Sequence, residues 1–258
     1  VEQNPLQIWE TQQKTMLDVM QKTNVSIEEI AGLGITNQRE TTVVWEKATG
    51  KPLAPAIVWQ CRRSTAICEQ LKAEGKESLI RKKTGLVLDP YFSASKMRWL
   101  LNEVPGLSER MKAGKICFGT IDSWLIWNLT AGKVFKTDVT NASRTMLCNL
   151  ETASWDEELL AIFGIELSAL PEIVPSSGKL AEIDNSTHGK SLPIAGIAGD
   201  QQSALFGQAC FEVGQAKNTY GTGCFLMLNA GSKPVESKHQ LLSTVAWQIG
   251  EERTYALE

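Results

Sequence analysis

Histidine is nearly missing from this sequence: His188 and His239 are the two in 258 residues, and each stands in a polar stretch. A Ser-His-Asp or Cys-His mechanism needs a positioned imidazole, so any chemistry here is expected to fall to carboxylates. A zinc site is also unexpected, because neither histidine has a partner ligand nearby. No two cysteines stand at C-x-x-C spacing; the six, at 61, 68, 117, 148, 210 and 224, read as reduced and mostly buried thiols. No apolar run reaches the roughly 18 residues of a transmembrane helix. Positive charge is not in excess either: the formal net charge is -3, which offers no field for nucleic-acid phosphates. Val1-Glu2-Gln3-Asn4-Pro5 has no basic n-region and no apolar h-region, so it does not read as a signal peptide, and a cytoplasmic location is expected. It has no starting methionine, and Tyr255-Ala256-Leu257-Glu258 stops inside what reads as a strand, so both ends are expected to be cut.

What is present is ordinary for a soluble globular protein: 43% hydrophobic and 21% charged residues. Asn4-Pro5 reads as a helix cap and a first-turn proline, with Ile8, Trp9, Leu17 and Met20 following at helical spacing over 5–22. Buried strands are expected at 30–36, 41–45 and 56–59. Helices are expected at 62–74, 76–84, 95–103, 107–113, 120–129 and 156–163, with a short strand pair near 133–148 and a loop marked by Pro171 and Pro175. Pro193 to Gly199 reads as a small-residue strand, and Gln201 to Cys210 as a helix beginning beside Asp200. After Gly214 the pattern turns to successive strands, which sets a domain boundary near 205–215.

Four places carry chemistry. Asn37-Gln38-Arg39-Glu40 follows a buried strand, where α/β proteins gather ligand groups. Arginine donates from a fixed fork and glutamate accepts, as a polyol requires, although the same pair could be a surface salt bridge. Trp59 ends another strand and could wall a carbon chain or simply fill a core. Asp200, in Ala198-Gly199-Asp200-Gln201-Gln202, could cap a helix or take a proton from a hydroxyl during phosphate transfer. Glycines before it would let substrate approach the backbone. Thr219-Tyr220-Gly221-Thr222-Gly223-Cys224-Phe225 could present amides to phosphate or be a plain hairpin turn. No G-x-x-x-x-G-K-[ST] loop occurs. The stretch Tyr91 to Glu103 reads as a loop feeding an amphipathic helix.

Five ordered segments are not anonymous: Gly34 to Thr42, Tyr91 to Glu103, Thr137 to Thr145, Gly196 to Gln202 and Lys217 to Phe225. Over its whole length the chain resembles the FGGY carbohydrate kinases, and within them the glycerol kinase branch, for which Gly34 to Thr42 is close to diagnostic. The resemblance implies an α/β fold of the ribonuclease H-like, actin-like two-domain type. Residues 1–207 would be the first domain without its first strands, and 208–258 the start of the second. It implies glycerol as acceptor with ATP and Mg²⁺ as cosubstrates. Arg39, Glu40, Tyr91, Asp200 and Gln201 would hydrogen-bond glycerol, and Trp59 and Phe225 would wall its carbons. Asp200 would be the base and stand near Mg²⁺, while Thr222 and Gly223 would approach the ATP phosphates. A homo-oligomer is a further expectation. Absent relative to the family are a front phosphate loop of the form Asp-Gln-Gly-Thr-Thr and most of the second domain, so residues 1–258 alone are expected not to turn over. Two rivals stay open: a non-catalytic actin-like polyol-binding module, and an FGGY kinase for another polyol or sugar.

Overall fold

The first helix forms as its sequence dictates. Asn4 Oδ1 accepts from the Leu6 amide at 3.0 Å, Pro5 occupies the first turn, and Pro5–Thr23 ends at Asn24 in a left-handed conformation with φ 55°. Ile8, Trp9 and Met16 pack on the core, whereas Leu17, expected on that stripe, is exposed. The computed structural model describes every residue except Gly189 and Thr222, and of Thr187 and His188 only the backbone.

Two sheets organise the described residues. A four-stranded antiparallel sheet has the order Glu2–Gln3, Ala56–Ile57, Thr42–Glu46, Ile116–Thr120. A seven-stranded mixed sheet runs Ala216–Tyr220, Cys224–Gly231, Glu252–Leu257, Ser243–Ile249, Ser177–Glu182, Pro193–Gly199, Leu33–Asn37. Its last two strands are parallel, with Ala198 beside Thr36 and Gly199 beside Asn37. The chain therefore leaves one sheet at Asn37, crosses Gln38 to Thr41, and enters the other at Thr42. Helices stand at Thr65–Ala73, Glu77–Thr84, Ser93–Glu103, Leu107–Lys112, Ile121–Leu129 and Glu157–Phe163, each within three residues of its expected place. They enclose one apolar core around Phe92, Met97, Leu100, Phe118 and Phe163. A second core is aromatic: Trp124 and Phe135 each meet Trp45 at 5.4 Å between ring centres.

Two expectations are corrected. The stretch 133–148 is not a strand pair. Lys136–Asp138 pairs in parallel with Glu172–Val174, and Cys148–Asn149 pairs with Ser154–Trp155. Between them Asp138 accepts from the Asn141 amide at 3.0 Å and starts the short helix Val139–Ala142. The loop marked by Pro171 and Pro175 encloses a strand, because both prolines lie just outside Glu172–Val174 and take no ladder donor from it.

Gly85 joins the two halves of the chain. It ends helix Glu77–Thr84 with φ 71°, and its carbonyl accepts from the Ser243 amide at 3.0 Å. A Cβ on Gly85 would stand 2.6 Å from the Ser243 carbonyl oxygen, whereas Gly75, with φ 72°, has open space. Gly75→Ala is expected to lose about 1–2 kcal/mol from left-handed strain alone. Gly85→Ala should lose that and the clash as well. Equal losses in thermal unfolding would show that the Gly85–Ser243 contact yields freely.

Candidate active site

The parallel pairing of Leu33–Asn37 with Pro193–Gly199 brings their carboxyl ends side by side. Gln38-Arg39-Glu40 leaves one end and Asp200-Gln201 the other, at the crevice that α/β sheets use for ligands. A third approach comes from Trp59, whose amide donates to Thr41 Oγ1 at 3.2 Å. Together with Gln38, Tyr91, Thr219, Gly221, Gly223 and Phe225, these residues line a cavity of about 200 Å³. That volume lies below the roughly 300–1,000 Å³ of drug-sized ligand sites and suits a small molecule. A larger cavity of about 410 Å³, bordered by Thr36, Ser203, Phe206 and Trp247, has no charged residue in its wall.

Arg39 and Glu40 are not a surface salt bridge: their side chains are 1% and 2% exposed. Arg39 presents its fork to Glu258, with Nη1 and Nη2 each 2.7 Å from a carboxylate oxygen. Arg144 Nε donates to Glu40 Oε1 at 2.9 Å, and its Nη1 lies 3.1 Å from Glu258 Oε2. Two buried cations thus face two buried anions, with the Asp200 carboxylate at the rim. Burial alone would raise the Glu258 carboxyl, but Arg144 and Arg39 outweigh it and hold it at about 2. Burial likewise opposes charge on Arg39, and Glu258 and Glu40 restore it. Arg39 Nε is buried without an aligned hydrogen bond, 3.4 Å from Glu40 Oε1 and 3.5 Å from Asp200 Oδ1. It is a spare donor at the meeting point of two carboxylates. Tyr91 is pushed above the ordinary phenol range, first by burial and then by Glu40.

Asp200 opens helix Asp200–Gly207, but Gly199 holds the cap position. The Asp200 carboxylate accepts from the Gln201 amide at 2.9 Å and from Gln201 Nε2 at 3.2 Å. Its side chain is 45% exposed, open for use. A Cβ at Gly199 would stand 2.4 Å from Arg39 Cγ, so the glycine makes room for the Arg39 stem. Trp59 meets Tyr91 at 5.6 Å and Phe225 at 6.3 Å between ring centres, forming an aromatic wall. Gly223 lies under Phe225, whose ring a Cβ would meet at 2.8 Å. The Gly221 amide is occupied by the Gly223 carbonyl at 3.0 Å. Thr222, expected near phosphate, lies outside the described residues.

The segment Thr137 to Thr145 supports the site from behind. Thr140 Oγ1 accepts from the Gly199 amide at 2.8 Å, and Asn141 exchanges side-chain hydrogen bonds with Asn37 at 2.9 and 3.1 Å. Asp138 anchors both, at 2.8 Å from Thr140 Oγ1 and 3.0 Å from Asn141 Nδ2. The ends of both site-bearing strands are therefore tied to one buried carboxylate. A second one, Asp122, accepts from Thr120 and, at 2.7 Å, from Thr137. Burial, with Asp138 nearby, pushes Asp122 up to about 6 from 3.8. Its folded pKa is above the unfolded one, so its contribution to stability is complete below about pH 4 and fades as pH rises through 6. Asp122→Asn keeps the shape, and the threonine hydroxyls can reverse to suit it. The variant is expected to lose one proton's share of the fall in stability between pH 4 and 6. Urea midpoints with the same pH slope in both proteins would sink this reading.

The comparisons with known proteins follow the same geometry. Residues 1–207 match the FGGY family of carbohydrate kinases, N-terminal domain. The chain belongs to the FGGY family of carbohydrate kinases. This FGGY chain is 57% identical to a glycerol kinase of Carboxydothermus hydrogenoformans, over 100% of its own length and 52% of that protein. It is 58% identical to a glycerol kinase of Aeromonas salmonicida, over 100% of its length and 51% of that protein. The crystal structure of Plasmodium falciparum glycerol kinase with ADP superposes with a TM-score of 0.93 at 39% identity, covering 99% of this chain and 52% of that one. A ligand-bound xylulose kinase from Lactobacillus acidophilus has the same fold, with a TM-score of 0.85 at 23% identity. The chain spans about half the length of the curated relatives it matches. The expected α/β, actin-like architecture is therefore the one this FGGY chain has. No helix among the described residues is long and apolar enough to cross a membrane.

Proposed function

We propose that the cavity is the glycerol site of an ATP-dependent glycerol kinase acting in the cytoplasm, and that Asp200 is its base. The observation that carries this is the convergence on one small cavity of Arg39, Glu40, Tyr91, Asp200 and Gln201 with the aromatic faces of Trp59 and Phe225. A three-carbon polyol offers three hydroxyls and a short apolar edge. Glu40 and Asp200 accept from hydroxyls, Arg39 Nε and Gln201 Nε2 donate to them, and the rings cover the carbons.

In this reading the hydroxyl nearest Asp200 gives its proton to the carboxylate as its oxygen bonds to the γ-phosphorus of ATP. The bond from that phosphorus to the ADP oxygen breaks, leaving glycerol 3-phosphate and ADP. Magnesium would neutralise phosphate charge. Among the described residues no three His, Cys, Asp or Glu side chains gather to hold a metal. Asp200 would thus be one of few protein ligands, with water and phosphates supplying the rest, which suits this ion. Gly223 would approach the phosphates, and residues 208–258 would open a second domain. The match of the family's N-terminal domain to residues 1–207 supports that boundary.

The test is glycerol-dependent ADP release by the complete protein, with residues 1–258 alone as a comparator expected to be silent. A parallel titration follows tryptophan fluorescence, since Trp59 lines the site. Quenching that saturates with glycerol, together with ADP release, is the expected pair. A protein that releases ADP with a longer sugar and not with glycerol would overturn the choice of substrate.

A further inference from the structure

Lys217, on strand Ala216–Tyr220, is 2% exposed, and among the described residues no carboxylate is a hydrogen-bond partner of it. Its ammonium has three donors, and each has a neutral acceptor. These are Gln201 Oε1, Thr219 Oγ1 at 2.9 Å and the Phe225 carbonyl at 3.2 Å. A buried ammonium is expensive to keep, and burial pulls this one below the ordinary lysine range. What it does for Gln201 is specific. An ammonium can face an amide oxygen but not an amide NH₂, so Lys217 fixes which way round the Gln201 amide stands. With Oε1 held, Nε2 is turned to Asp200 Oδ2 at 3.2 Å, while the Gln201 backbone amide holds Oδ1 at 2.9 Å.

We propose that Lys217 is a positioning residue for the Asp200 carboxylate: by locking the Gln201 amide it keeps a donor on Asp200 and the carboxylate aimed into the cavity. The proposal rests on the reading of Asp200 as the base. Without Lys217 the amide is free to reverse and set Oε1 against Oδ2, where two acceptors repel and the carboxylate loses its aim. The other charged groups that face this chain of contacts are Arg39, with Nε at 3.5 Å from Asp200 Oδ1, and Glu258, with the Cys210 thiol behind Lys217. They remain in place when Lys217 is changed.

The experiment compares the complete wild-type protein with Lys217→Met, Gln201→Ala and the double variant, following kcat and KM for glycerol. Lys217→Met is expected to lower kcat on the order of 10–100-fold, the usual size when the partner of an active group is removed. KM should change less. The double variant should show the same kcat as Gln201→Ala, because both changes cut one chain of contacts. Lys217→Arg, which keeps a cationic donor, should restore part of kcat. An unchanged kcat in Lys217→Met, or losses that multiply in the double variant, would overturn the proposal and leave Lys217 as a peg for the hairpin. If Lys217→Met fails to fold, Gln201→Ala carries the test by itself, since an unchanged kcat there sinks the relay. Wild-type protein that shows no glycerol turnover would instead overturn the reading of the site, so the two failures are distinguishable.

Discussion

Asp200→Asn is expected to lower glycerol-dependent ADP release by about 10²–10⁴-fold, the range that a positioned base supplies. Thermal stability should hardly move. The Asp200 side chain is 45% exposed, and its hydrogen bonds come from the adjacent Gln201. Asparagine keeps the volume and can still accept from the Gln201 amide, but it cannot take a proton from a hydroxyl. Glycerol should still quench tryptophan fluorescence, because Arg39, Glu40, Trp59 and Phe225 remain. Turnover within tenfold of wild type would remove Asp200 from the role of base. A wild-type protein that binds glycerol and never releases ADP would move the non-catalytic reading ahead.

Arg39→Ala should have the opposite signature, losing stability as well as ligand. Arg39 holds Glu258 with both arms of its fork and stands at ion-pair distance from Glu40 and Asp200. Removing one partner of a buried pair leaves charge unpaired and costs about 3–5 kcal/mol. Arg144 alone cannot satisfy both Glu40 and Glu258. Arg39→Lys should rescue little, since one ammonium is a point charge and cannot span two carboxylate oxygens as a guanidinium does. Urea unfolding of the complete protein, with and without glycerol, separates the parts. The variant should unfold earlier without ligand and gain nothing from adding it. A wild-type midpoint in Arg39→Ala would mean that the buried cluster is not a pair of ion pairs at all.

The strands that deliver the site were readable because their apolar runs end abruptly in polar residues, at Asn37 and at Asp200. Their parallel adjacency was not readable from either run, since pairing lies between residues far apart in sequence. The segment Thr137 to Thr145 shows the limit most clearly. Thr137, Asp138, Thr140, Asn141, Ser143 and Arg144 are all buried, yet periodicity counts apolar residues and passes over a polar network. The resemblance marked that segment without giving it a task, and its task is to tie two strand ends together. Arg144, Glu258, Gln202 and Lys217 were missed for the same reason. The one available sign was a lone cation, Arg144 or Lys217, set among small and uncharged neighbours. At Gly199 the glycine was legible and its purpose was not, because only the fold shows that Arg39 passes there.

Arg39 and Glu258 are 219 positions apart, and synthesis proceeds from the amino end. At about 5–20 residues per second, the arginine waits roughly 10–40 s for its counter-ion to be made. Once Arg144 has been made, two arginines share Glu40 until Glu258 follows, and closing so long a loop is a slow, late event. The growing polypeptide therefore carries a half-neutralised centre until Glu258 arrives, so the cluster reports that synthesis has passed that point.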